Sequence, residues 1–122
     1  MRVALFDLTN QTKSSMLDLK TLESCRLDIE ALSRELLLKR RRKVSRELQD
    51  LCRILRSRVI ASHQFKDVVE PLGRIADAAA RLENAHTSKD EVATYELRQA
   101  LHSLTVMLVD YRARSLPDTK ND

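Results

Sequence analysis

Between Met16 and Ser115 the chain holds a single proline, Pro71, and a single glycine, Gly73, two residues apart. Sheets joined by tight turns use both residue types repeatedly, because hairpin turns need a positive or preset φ. A chain with almost none of either, and rich in Leu, Arg, Glu, Lys and Ala, is one that helices can use throughout. At 122 residues it makes one domain with tails. Aromatic residues are only 3% of the composition, so Leu, Val, Ile and Ala must fill the interior. The expectation is an all-α fold, an antiparallel helical hairpin or small helical bundle, dimeric. Residues 1–14 form an N-terminal segment, 15–116 the helical domain and 117–122 a polar, disordered tail.

Apolar spacing places the helices. Leu22, Cys25, Ile29, Leu32 and Leu36 recur at alternating intervals of three and four, which gives one stripe on a helix from about Met16 to Leu38. Ser15 followed by Asp18 suits its N-terminus. Val44, Leu48, Leu51, Leu55 and Val59 form a second stripe with the same spacing. The two stripes differ in phase by one residue, so either one long helix skips there or two helices meet. "VVEPLGR" is the clearest punctuation, and Pro71 with Gly73 is expected to interrupt a helix coming from Val44. A third, shorter helix carries Ile75, Ala79 and Leu82 on one face. "NAHTS" reads as a loop, and Ser88 with Glu91 as a capping box. A last helix, about Lys89 to Ser115, buries Ala93, Leu97, Leu101, Leu104, Leu108 and Tyr111.

Charge is unevenly spread. Arg34 to Arg58 carries ten basic and three acidic residues, while the remainder has twelve basic and fifteen acidic. A localised excess of this kind faces an acidic partner: nucleic acid, an anionic membrane or an acidic protein. An ordinary solvated helix face is the plain alternative. On one helix, Lys39, Arg42, Arg46, Gln49, Arg53 and Arg56 fall within a sector of roughly 100°, nearly opposite the second apolar stripe. Arg40 and Arg41 point toward the apolar side and mark where core packing stops, at a bend or an overhang. Arginine outnumbers lysine in the segment, and guanidinium forks bind phosphate in a bidentate way that ammonium cannot. A row of such contacts gives salt-dependent, sequence-tolerant binding. No aromatic residue flanks the row, which disfavours a lipid surface and the stacking platforms used on single strands. Duplex RNA, read by shape through phosphates and 2′-hydroxyls, needs no aromatics. The expected activity is therefore non-enzymatic binding of nucleic acid, with duplex RNA as the best-fitting ligand. A helical interaction module for an acidic protein is the second reading.

"VSRELQDLCRIL" (Val44 to Leu55) resembles the second-helix region of the nodavirus double-stranded-RNA-binding silencing suppressors. "LESCRLDIEAL" is similar to their first helix, and the order "VVEP…RIADAA" to their apolar pair, proline and short third helix. The resemblance implies a viral suppressor of RNA silencing: a small dimer of helical hairpins that lays antiparallel helices along an RNA duplex and shields it from nucleases. Arg46 falls where that family has an RNA-contacting arginine. The family's later key arginine falls near Gln64, and its glycine- and proline-bearing first loop is replaced by "LLLKRRRK".

Two histidine patterns offer chemistry instead. His63, Lys66 and Gly73 match the spacing of histidine phosphotransfer domains, although Asp67 replaces the small residue beside the phosphoryl site and Pro71 would break the supporting helix. Arg58 and His63 have the spacing of helical RNA-cleaving domains of the HEPN type, but Val59 stands where a polar residue is usual. His86 and His102 have no ligand-spaced partners. No phosphate-binding loop, dinucleotide fingerprint, nucleophile elbow or metal motif is present, so no cofactor is expected. Cys25 and Cys52 both lie at apolar helical positions and are expected to be buried free thiols, as in a reducing, cytoplasmic setting. No apolar run reaches the roughly 20 residues of a membrane span.

Overall fold

The computed structural model describes residues 17–39, 41–84 and 90–115. Four helices account for nearly all of them: α1, Leu19–Lys39; α2, Arg42–Ser62; α3, Val69–Asn84; and α4, Asp90–Ser115. A single 3₁₀ turn, Lys66–Val68, leads into α3. The segments 1–14 and 117–122, and the Ser88 half of the capping box, lie outside the described residues.

The phase jump between the two leucine stripes is resolved by two helices. α1 ends at Lys39, and Arg41 is extended (φ −82°, ψ 132°) before α2 begins. A continuous helix would leave Lys39, Arg42 and Lys43 on adjoining turns, where like charges repel. It would also rotate the second stripe about 100° away from the first. Folding back removes the phase mismatch and leaves Lys39, Arg41, Arg42 and Lys43 exposed to water at that end. Leu22, Cys25, Ile29, Leu32 and Leu36 of α1 then meet Val44, Leu48, Leu51, Leu55 and Val59 of α2 in one core. At the start of α1, Asp18 supplies the cap: its carboxylate accepts a hydrogen bond from the Thr21 amide at 2.9 Å.

The break expected at Pro71 and Gly73 lies elsewhere. α2 stops at Ser62, nine residues before Pro71, and its end is closed by His63 in the left-handed conformation (φ 61°), whose amide reaches Val59 and Ile60 carbonyls. Phe65 is left-handed too (φ 58°). Pro71 instead sits in the first turn of α3, where its missing N–H would have had no intrahelical partner. Gly73 is an ordinary helical residue facing α2, and a Cβ there would lie 4.0 Å from Arg56 Nε.

Each helix contacts two neighbours, in the ring α1–α2–α3–α4, and all four neighbouring pairs are antiparallel. Ser45 at the start of α2 donates to the Ala79 carbonyl near the end of α3 at 2.7 Å. Arg81 near the end of α3 pairs with Glu96 early in α4 at 2.7 Å. Arg112 near the end of α4 donates through Nε to Glu23 near the start of α1 at 2.7 Å. α4 turns Ala93, Leu97, Ala100, Leu104 and Leu108 inward, while Leu101 and Tyr111 are half-buried beside them. Phe65 closes the end of the bundle edge-on against Tyr111, with ring centres 5.1 Å apart. No helix among the described residues is long and apolar enough to cross a membrane.

Both cysteines are buried free thiols. Burial pushes the Cys52 thiol up to about 12, so it carries no thiolate at neutral pH. In native protein neither thiol is expected to react with iodoacetamide at about pH 8, and both should react in denaturant; mass spectrometry of the alkylated chain reads the difference. Leu48→Ala removes a fully buried side chain and should cost about 2–5 kcal/mol in urea unfolding. Leu38→Ala, at a side 77% exposed, should stay within about 0.5 kcal/mol of the parent.

Candidate nucleic-acid interface

Helical spacing brings Arg42, Arg46, Gln49, Arg53 and Arg56 to one edge of α2, beside α3. The four arginines are exposed and Gln49 is half-buried. From Arg42 to Arg56 the row runs about 21 Å along the helix. Lys39 does not belong to it. α1 ends at Lys39, which is exposed at the same end of the bundle as Arg41, Arg42 and Lys43. The basic run is thus a charged corner, and the spaced arginines extend it down one edge. Arg41 is exposed at the bend itself.

One carboxylate lies under this edge. Glu83 comes from the last turn of α3, and its side chain is only 10% exposed. Arg46 donates to it through Nε at 3.2 Å, Gln49 through its amide at 3.1 Å, and Arg42 approaches to 3.4 Å. The buried Ser45 hydroxyl, 3.4 Å from the same carboxylate, also accepts from Gln49 at 3.0 Å. Burial pushes the Glu83 carboxyl up, but the bonds from Arg46 and Gln49 and the charges of Arg46 and Arg42 together outweigh it and hold the group below its ordinary value. Arg53 is tied within its own helix, to Asp50 at 3.1 Å and to the Gln49 side-chain oxygen Oε1 at 3.2 Å. Arg56 has no ion-pair partner among the described residues.

The edge therefore presents four arginines against three carboxylates, Glu83, Asp50 and the exposed Asp77 of α3, which lines a pocket together with Arg53 and Arg56. Glu83 limits the side-chain freedom of Arg42 and Arg46 while leaving them 70% and 66% exposed. A phosphate arriving there meets positioned guanidiniums, and it competes with Glu83 for them. An open groove of about 680 Å³ continues past Arg56 toward α3. Its charged lining is Arg56, Lys66 and Arg74 against Asp67, Glu70 and Asp77, a balance that gives an anion no preference.

The other patterns fare differently. His63 is exposed in the left-handed turn after α2, and Lys66 begins the 3₁₀ turn. The two share no helix face of the kind a phosphotransfer histidine and its lysine need. Among the described residues no group of three His, Cys, Asp or Glu side chains is placed to hold a metal ion. Glu83 and Ser45 carried no signal as site residues, because their roles depend on α3 packing beside α2. The one trace is Ser45, a polar residue directly after a core valine.

No family model, curated protein or solved structure matches the chain.

The Glu83 carboxyl, held low in the fold, contributes stability above its ordinary value of 4.5, and that contribution is lost as pH falls through the lower folded value. Thermal melts at about pH 7 and pH 3 should show a smaller acid-induced drop for Glu83→Gln than for the parent.

Proposed function

We propose that the protein is a non-enzymatic binder of duplex RNA, held by shape and phosphate charge along the arginine edge of α2, and that it works as a homodimer. The supporting observation is the line Arg42, Arg46, Arg53 and Arg56, exposed on one helix with Glu83, Asp50 and Asp77 as the carboxylates beside it. Spacing along a helix matches the periodic phosphates of a duplex without requiring base contacts. Arg42 and Arg46 are already ordered by Glu83, so less side-chain entropy is lost on binding. The resemblance to the nodavirus suppressors points to the same ligand, and on that reading the protein sequesters duplex RNA in the cytoplasm from the silencing machinery. The four helices that those proteins would assemble from two hairpins come here from one chain.

Gel shifts with a duplex RNA of about 25 base pairs at about 50 and 200 mM salt test the reading. Binding should fall steeply between the two salts. Arg46→Ala with Arg53→Ala should weaken it about tenfold or more and flatten the salt slope by about two. Glu83→Gln should strengthen it several-fold, because the competing carboxylate is gone. The absence of binding at the lower salt, or indifference to both substitutions, would sink the proposal. Recovery of an acidic protein by the same edge, without RNA, would establish the interaction-module alternative.

A further inference from the structure

α4 has a second apolar face. Opposite its buried row, Val92, Tyr95, Gln99, His102, Val106 and Val109 recur at alternating intervals of three and four and all point into solvent. Val92, Tyr95, Val106 and Val109 are between 51% and 63% exposed. The row extends over about 26 Å. On one side of it Arg112 ties α4 to α1 through Glu23. On the other, Glu96 and Ser103 tie it to α3 through Arg81 and Arg74. Both flanks are thus occupied by the bundle, and the row between them has no partner within the described chain. An apolar seam with this repeat is what a facing helix packs against.

We propose that a second copy of the chain docks here, α4 against α4 and antiparallel about a two-fold axis. Reversing the helix onto itself sets Val92 opposite the partner's Val109, Tyr95 opposite the partner's Val106, and Gln99 opposite the partner's His102. Every apolar position meets an apolar one, and the two polar positions meet each other on the axis, where a polar pair fixes register. Charge selects the direction. In the antiparallel arrangement Glu91 flanks the partner's Arg112, which holds its own Glu23 and would bridge the two carboxylates. A parallel one sets Glu91 against the partner's Glu96, two like charges. The interface is isologous, so each contact occurs twice. This deepens the homodimer part of the proposed function and is independent of its RNA part, because no seam residue belongs to the arginine edge.

Sedimentation equilibrium on the full chain between about 1 and 100 μM should show a monomer–dimer equilibrium. Val106→Arg, at an exposed site, should leave the helical content and melting of the monomer intact and weaken the dimer on the order of 100-fold, since it enters the interface twice. Oxidised Val92→Cys with Val109→Cys should form disulfide-linked dimers, and Val92→Cys alone should not; the native thiols are buried and do not interfere. A chain that stays monomeric throughout, a dimer indifferent to Val106→Arg, or cross-linking by Val92→Cys alone each overturns the proposal. A monomer that Val106→Arg destabilises also overturns it, and puts one of the chain's own segments, such as Met1–Leu8, on the seam. A monomer that still shifts duplex RNA leaves the RNA reading standing.

Discussion

Two leucine stripes out of phase by one residue cannot both be buried on one straight helix. That mismatch between Leu36 and Val44 is the constraint from which the rest follows. It forces a reversal between Lys39 and Arg42 without help from glycine or proline, and it leaves Lys39, Arg41, Arg42 and Lys43 exposed at a bundle corner. Once α1 and α2 fold back on each other, each retains uncovered apolar surface, which α3 and α4 cover in turn. The result is a ring of four helices in which leucine and alanine, with almost no aromatics, fill the centre.

The boundary between α2 and α3 is less apolar than the core beneath it. Ser45, Gln49 and Glu83 make a small polar network at its outer edge, and every bond in it has a partner on the facing helix or one turn away. A carboxylate covered to this extent is costly unless cations offset it. Arg42 and Arg46 do so, and they are at the same time half of the exposed basic row. The feature that stabilises this helix pair and the feature that would recruit an anion are therefore one set of side chains. Anything that draws the two arginines outward leaves Glu83 with fewer donors, so an anion bound at this edge would be coupled to local packing through that carboxylate.

The helix class, the existence of four helices and most core positions were legible in spacing, because a buried face repeats every three to four residues whatever it packs against. The two breaks were not. Pro71 and Gly73 look like punctuation, yet a proline in a first turn and a glycine on a packed face are both compatible with a helix. His63 and Phe65, which do end α2 and set the next turn, have no local signature. For the site, the arginine row was visible because it lies on a single helix. Lys39 shares the row only on a continuous helix, and the break that puts it on α1 depends on the tertiary solution to the phase jump. Glu83 was invisible for the same reason: it is thirty-seven residues from Arg46 and meets it only when α3 is in place. The seam on α4 was hidden by its own inward row, since two apolar faces on one helix blur the pattern of each.

The positions of the two surfaces constrain what a dimer could do. α2 and α4 occupy diagonal corners of the ring, each packed on α1 and α3. A second copy seated on α4 therefore covers none of the arginine edge, and the two-fold axis carries the two edges to outer sides of the assembly. Two bundles side by side, each about 20 Å across, would set the edges several helix diameters apart. That separation is too wide for both to lie along the same few phosphates, unlike two hairpins whose helices lie flat together on one duplex. A dimer built this way would present two separate arginine edges. It would bridge separate duplexes, or distant stretches of one, and its apparent affinity would rise with RNA length through effective concentration rather than through a larger single footprint.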